Sequence, residues 1–174
     1  MPIRTPGFFH TLACAVFITL CTQLVGCGGF PVQPQVKEEG GVRPESAAGS
    51  GAEALRVAQQ MLGVPYRNGG AGPAGFDCSG LVAYSYAQTG IALPRTAREQ
   101  YAHTRPVSID ELRPGDLVFF RLKSSTVSHV GIYQGTRKFI HAPATGKAVM
   151  IASLDNRYWR ERWVRGGRIP APSS

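Results

Sequence analysis

Residues 75–82 read GFDCSGLV, and the fold is legible outward from them. A glycine-rich stretch, GVPYRNGGAGPAGF, fills 63–76 and cannot hold a regular element. From Cys78 the chain is apolar enough to form a helix to Thr89, with Gly90 as its natural stop. Asp77 stands at the N-cap, where its carboxylate can accept from the N–H of Ser79 or Gly80. Upstream, 52–62 place Leu55, Ala58, Gln59 and Leu62 along one helical face, and Gly63 ends that run. Downstream, Thr96 and Glu99 have capping-box spacing, predicting a short helix to about Tyr101. Beyond a turn at Pro114, Gly115 and Asp116 the pattern changes to short apolar runs at 117–121, 127–134, 139–142, 149–152 and 163–169, which read as strands. No helical crossover separates them. The prediction is an α+β domain with N-terminal helices packed on an antiparallel sheet.

The 174 residues allow one domain of ordinary size, and 43% hydrophobic with 17% charged residues is a globular composition. The first residues carry a basic start at Arg4, an apolar run from Phe8 to Val25, and the string Leu24, Val25, Gly26, Cys27. Such a segment reads as an export signal over 1–26, because the apolar run is diluted by polar residues and no basic stop-transfer cluster follows. Leu24 to Cys27 resemble the lipobox of bacterial lipoproteins, which implies lipidation of Cys27 and attachment to a membrane through that anchor. Gly28 after the cysteine implies the outer membrane, facing the periplasm, if the organism is Gram-negative. Gly, Pro, Gln, Glu and Ser dominate 27–50, as in a flexible tether, leaving 51–174 as the folded domain. The net charge is +8, and Arg157, Arg160, Arg162, Arg165 and Arg168 predict a basic surface near the C-terminus. No helix-turn-helix, finger or aromatic-interleaved basic stripe accompanies them, so nucleic acid is not an expected partner.

Once the signal is removed and Cys27 acylated, Cys78 is the single free thiol. It opens a helix after a glycine-rich loop, where backbone N–H groups and the helix dipole favour a thiolate and can hold an oxyanion. Asp77 beside it opposes the thiolate by its charge. The histidines that remain are His103, His129 and His141. In VSHVGIYQ, alternation places His129, Gly131 and Tyr133 on one face and Val130 and Ile132 on the other, so both faces are occupied and the strand is internal. A three-residue loop at 135–137 would pair Gln134 with Lys138 and set Gly131 opposite His141, making His129 its diagonal neighbour. An even loop would put the two imidazoles on opposite faces. Cooperation between them therefore requires an odd connection or a bulge, and Gly131 is expected to leave room for the His141 ring. His103, near the end of a short helix, is expected on the surface without a role.

The string GVPYRNGGAGPAGFDCSGLV, followed in order by LPRTAREQ, LRPGDLVFF, SHVGIYQG and FIHAP, resembles the NlpC-type family of papain-like cell-wall cysteine peptidases. The resemblance implies a compact papain-like domain that hydrolyses peptide bonds in peptidoglycan stem peptides. Cys78 becomes the nucleophile, His129 the base and then acid, and His141 the group orienting His129. Tyr66, Asp77 and Ser79 fall around the substrate pocket, with Tyr66 close to the oxyanion and Asp77 able to receive a free amine. No metal or cofactor is implied. Two bonds are cut within this family, from D-glutamate to diaminopimelate and the crosslink from D-alanine to diaminopimelate. The lipoprotein signal favours the crosslink here. A wall-binding lipoprotein without hydrolysis, or an acyltransferase using the same thiol, are the competing readings.

Overall fold

The computed structural model describes residues 47–122 and 125–170. The signal, the lipobox with Cys27 and the tether up to residue 46 lie outside them. Helix α1 (Ala47–Gln60) begins five residues before the expected start, so 47–50, assigned to the tether by composition, are helical. Ser50, Gly51, Ala54, Leu55, Val57 and Ala58 are buried along it, and that burial overrides the poor helix propensity of Gly49, Ser50 and Gly51. A two-residue hairpin, β1 (Ala71–Gly72) with β2 (Gly75–Phe76), shapes the glycine-rich loop before α2 (Cys78–Ala87). α3 (Ala97–His103) follows, capped by the reciprocal Thr96 and Glu99 bonds that the sequence predicts.

The remaining strands are β3 (Arg105–Val107), β4 (Leu117–Phe120), β5 (His129–Gly135), β6 (Lys138–His141), β7 (Met150–Ser153) and β8 (Trp163–Arg168). A single helical turn, α4 (Arg157–Arg160), precedes β8. These six strands form one antiparallel sheet in the order β3-β8-β4-β5-β6-β7. Helices α1, α2 and α3 lie on one face, where Leu81, Val82, Ala97, Leu117, Phe119, Val130, Ile132 and Ile140 share a core with Ala54, Leu55 and Ala58 of α1. On the other face Val118, Phe120, Tyr133, Phe139 and Leu154 form a second cluster, against which Trp159 of α4 and Trp163 of β8 pack. β5 is thus covered on both sides, as its sequence requires.

The β5–β6 connection carries a bulge. Lys138 pairs with Gly135, not with Gln134, and the ladder shifts before Tyr133 pairs with Phe139 and Ile132 with Ile140. The loop proper is only Thr136 and Arg137, both in left-handed backbone (φ 48° and 55°), as a type I′ hairpin requires. Gln134 is the extra residue. Past the bulge the register is the one needed, and its continuation sets Gly131 opposite His141. The nearest constraint on Gly131 comes from its strand neighbours: a Cβ there would meet Phe139 Cδ2 at 2.6 Å and Ile140 O at 2.8 Å.

The C-terminal arginines are also less exposed as a group than their spacing suggests. Arg168 turns onto buried Asp116, with Nε to Oδ1 at 2.6 Å and Nη2 to Oδ2 at 2.6 Å. Arg165 lies over the Tyr101 ring, 3.9 Å from its centroid. Long arginine stems leave their alternating strand positions wherever a buried carboxylate or an aromatic face is in reach.

Gly80 explains the last part of the GFDCSGLV string. A Cβ on Gly80 would overlap the carbonyl oxygen of Gly70 and stand 3.0 Å from Asp77 Oδ1. Gly80→Ala gains about 1 kcal/mol of helix propensity. The overlap is with backbone and costs more, so the variant is expected to be on the order of 2 kcal/mol less stable in urea denaturation.

Candidate active site

Cys78 is the first residue of α2 and is partly buried. The N–H groups of Val130, Ser79 and Cys78 itself favour its thiolate, and the first of these places the sulfur beside the residue that follows His129. The net effect is nonetheless upward. Burial is the largest influence on the thiol, and the charge of Asp77 adds to it, so the N-terminal position of the helix does not by itself produce a thiolate.

His129 and His141 are 2% and 1% exposed. His129 Nε2 lies 2.8 Å from His141 Nδ1, which joins the two imidazoles in one hydrogen bond. With Nε2 of His129 donating, its Nδ1 carries the lone pair that can accept a proton. Burial lowers His129 to about 4, while burial first and the neighbouring His129 second lower His141 to about 3. These shifts favour the neutral form of both the thiol and the imidazoles.

One residue of this centre gives no signal in the sequence. Trp159 stacks on His129, centroids 5.4 Å apart and planes at 26°, and meets His141 edge-on at 4.8 Å. It also packs on Phe120 and Phe139, both of which contact the histidine pair. Trp159 is thirty positions from His129 on a helix of one turn, where no periodicity marks it.

Asp77 is the N-cap of α2 and accepts from Gly80 N at 2.7 Å, one of the two donors its position allowed. Its carboxylate is also closed by Arg95, with Nη1 2.9 Å from Oδ1 and Nη2 2.5 Å from Oδ2, and by Gly69 N at 3.0 Å and Ser79 Oγ at 3.3 Å. Burial works against ionisation, but the bonds from Arg95 and Gly80 outweigh it and hold the carboxyl below its ordinary range. An amine approaching Asp77 therefore meets a carboxylate already paired, and Arg95, absent from the expected set, belongs to its surroundings. Ser79 is buried and bonds to Arg95 Nη1 at 3.1 Å, while its carbonyl accepts from Gln100 Nε2 at 3.0 Å.

Tyr66 lies beside β2, bridged to Phe76, and is partly buried. Burial raises its hydroxyl, and the charges of Cys78 and Asp77 raise it further, so it stays protonated within electrostatic reach of the sulfur. That is a donor's state. His103 ends α3 on the surface and touches none of these groups.

The arrangement offers a nucleophilic thiol, a proton acceptor held by a second imidazole, and hydrogen-bond donors around the sulfur: the elements of acyl transfer. Known proteins are similar to this chain in sequence and in fold. The murein DD-endopeptidase MepH of Escherichia coli is 46% identical over 127 residues, which cover 70% of this chain and 46% of that protein. The bifunctional muramidase/DL-endopeptidase CwlT of Bacillus subtilis is 42% identical over 118 residues, covering 66% and 35%. This chain spans less than half the length of either relative. Among solved structures, the NlpC/p60 domain of the peptidoglycan hydrolase SagA superposes with a TM-score of 0.61 at 31% identity, over 68% of this chain and 98% of that domain. An NLP/P60 lipoprotein-like structure from Staphylococcus aureus gives 0.63 at 36% identity, over 69% and 41%. With the sequence profile of the NlpC/P60 family matching residues 63–168 as well, the chain belongs to the NlpC/P60 family.

Proposed function

We propose that this protein is a peptidoglycan endopeptidase that hydrolyses peptide bonds of murein stem peptides through Cys78, His129 and His141. The observation that carries this reading is the buried imidazole pair at 2.8 Å, with His129 on a strand whose next N–H faces the only cysteine among the described residues. Cys78 attacks the carbonyl as His129 takes its proton. Backbone N–H groups at the start of α2 and the Tyr66 hydroxyl hold the oxyanion, and His129 returns the proton to the leaving amine. Water then releases the acyl-enzyme by the same route. Ser79 and Asp77, fixed by Arg95, shape the pocket beside the sulfur.

The bond we favour is the crosslink from D-alanine to diaminopimelate. Similarity to a DD-endopeptidase supports it, and similarity to a DL-endopeptidase supports the bond from D-glutamate to diaminopimelate. Digestion of purified crosslinked muropeptide dimers separates the two. Tetrapeptide monomers are the expected product, dipeptide stems would move the assignment to the other bond, and released sugars or an intact dimer would overturn it.

We further propose that Cys27 is the acylated N-terminus of the mature chain and tethers the domain to the outer membrane in a Gram-negative cell. Support comes from the Leu24 to Cys27 string and the polar segment behind it. Metabolic labelling with a fatty acid is expected to mark the wild-type protein and to fail in Cys27→Ala, and label persisting in the variant would refute the anchor.

A further inference from the structure

We infer that Arg98 and Arg121 form a subsite for a free carboxylate of an acidic peptide substrate, in a cleft lined by segments that neighbour Cys78 and His129 in the fold. This inference rests on the peptidase reading and specifies the substrate's charge. A cleft of about 230 Å³ is lined by Arg98, Tyr101, Arg121, Ser125, Thr126 and Val127. The elements that line it lead to both halves of the proposed catalytic centre. Arg98 lies on α3, whose Gln100 donates to the carbonyl of Ser79, the residue after Cys78. Arg121 follows Phe120, the strand partner of His129, and Val127 is two residues before that histidine.

The charge of this cleft is unbalanced. Among the described residues neither Arg98 nor Arg121 has an ion pair, and no carboxylate lines the cleft. Behind Tyr101, Arg165 adds a third guanidinium that donates to the carbonyls of Tyr101, Thr104 and Gly166 and to the Thr104 hydroxyl, with no acid as partner. Glu99, next to Arg98 in sequence, is turned to Thr96 in the capping box. At the Asp77 side of the centre the opposite holds, since Arg95 is neutralised by a carboxylate. Planar guanidinium groups with free donors match the geometry of a carboxylate, and they leave a positive potential that only an incoming anion cancels. A peptide bound across the centre is thus oriented by charge: its carboxylate end lies toward Arg98 of α3 and Arg121 just after β4.

The test measures binding of a synthetic stem peptide with free carboxylates, and of the same peptide fully amidated, to the full chain carrying Cys78→Ala so that no turnover intervenes. Arg98→Gln and Arg121→Gln are each expected to weaken the free-acid peptide about tenfold, the scale of one lost charge-assisted hydrogen bond, and to leave the amidated peptide unchanged. Lysine at either position should restore part of the loss. Both side chains are exposed, so unfolding midpoints should not move. Equal weakening of both peptides, or none, would overturn the subsite. So would loss of binding to phosphatidylglycerol vesicles with peptide binding intact, which would assign the arginines to a lipid surface. Failure of the wild-type protein to digest murein would instead reject the peptidase reading, and the binding comparison would still report on the two arginines.

Discussion

Cys78→Ser is expected to lower turnover of stem peptides by about 10⁴-fold or more, with the unfolding midpoint unchanged. The reason lies in the two proton affinities. His129 is held at about 4, whereas an ordinary thiol titrates near 9 and burial raises Cys78 further. Moving the proton before attack therefore costs upwards of about 7 kcal/mol, less whatever the attraction between the new charges returns. Sulfur can attack with the proton transfer in progress. A hydroxyl, far less acidic than a thiol, adds a penalty that the same weak base cannot meet. His129→Ala should be almost as severe because the acceptor is gone. His141→Ala should cost about 10²-fold, since it removes the partner that fixes the His129 ring and leaves its Nε2 buried without a bond. Chromatography of released muropeptides reads all three variants, and wild-type turnover in Cys78→Ser would refute the nucleophile.

The first three helices and most of the strands of this domain are legible locally. The Thr96 and Glu99 spacing gives the cap of α3, Asp77 gives the start of α2, and alternation in VSHVGIY gives a strand covered on both faces. Even the register of the two histidines follows once cooperation between them is required, because side-chain period two permits only an odd loop or a bulge. What is not legible depends on distance along the chain. β3 is three residues with Pro106 in its middle and two exposed positions, so it has no strand signature of its own and exists by pairing with β8. Arg95 meets Asp77 across eighteen residues, and Trp159 meets His129 across thirty. The direction of the Cys78 shift was hidden for a related reason. The helix dipole is a local property, but the burial that opposes it comes from the whole packed core.

The buried histidine pair is expected to make the fold labile to mild acid. Both imidazoles have folded-state values depressed from 6.5, to about 4 and about 3, so between those values and 6.5 the unfolded chain binds more protons than the folded one. Stability is therefore complete above 6.5 and falls as pH drops through this window. The slope approaches about 2.7 kcal/mol per pH unit where both groups titrate on unfolding, and it flattens near the folded values. Asp77, lowered by its bonds to Arg95 and Gly80, adds a loss of the same sign at still lower pH. The rings contacting the pair, Phe120, Phe139 and Trp159, carry no charge, and protonation of either imidazole opposes protonation of the other. Urea titrations from pH 7 to 4.5 should show the decline, and His141→Gln should reduce its slope by about half. A flat profile over that range would mean that the pair is open to water and would refute its burial. Activity should follow the same limits: while the fold survives, kcat/KM should show no protonation step at the ordinary histidine value. Trp159→Ala, which uncovers the pair, should bring such a step back toward 6.5, whereas Trp159→Phe, keeping an aromatic face on His129, should restore most of the wild-type profile.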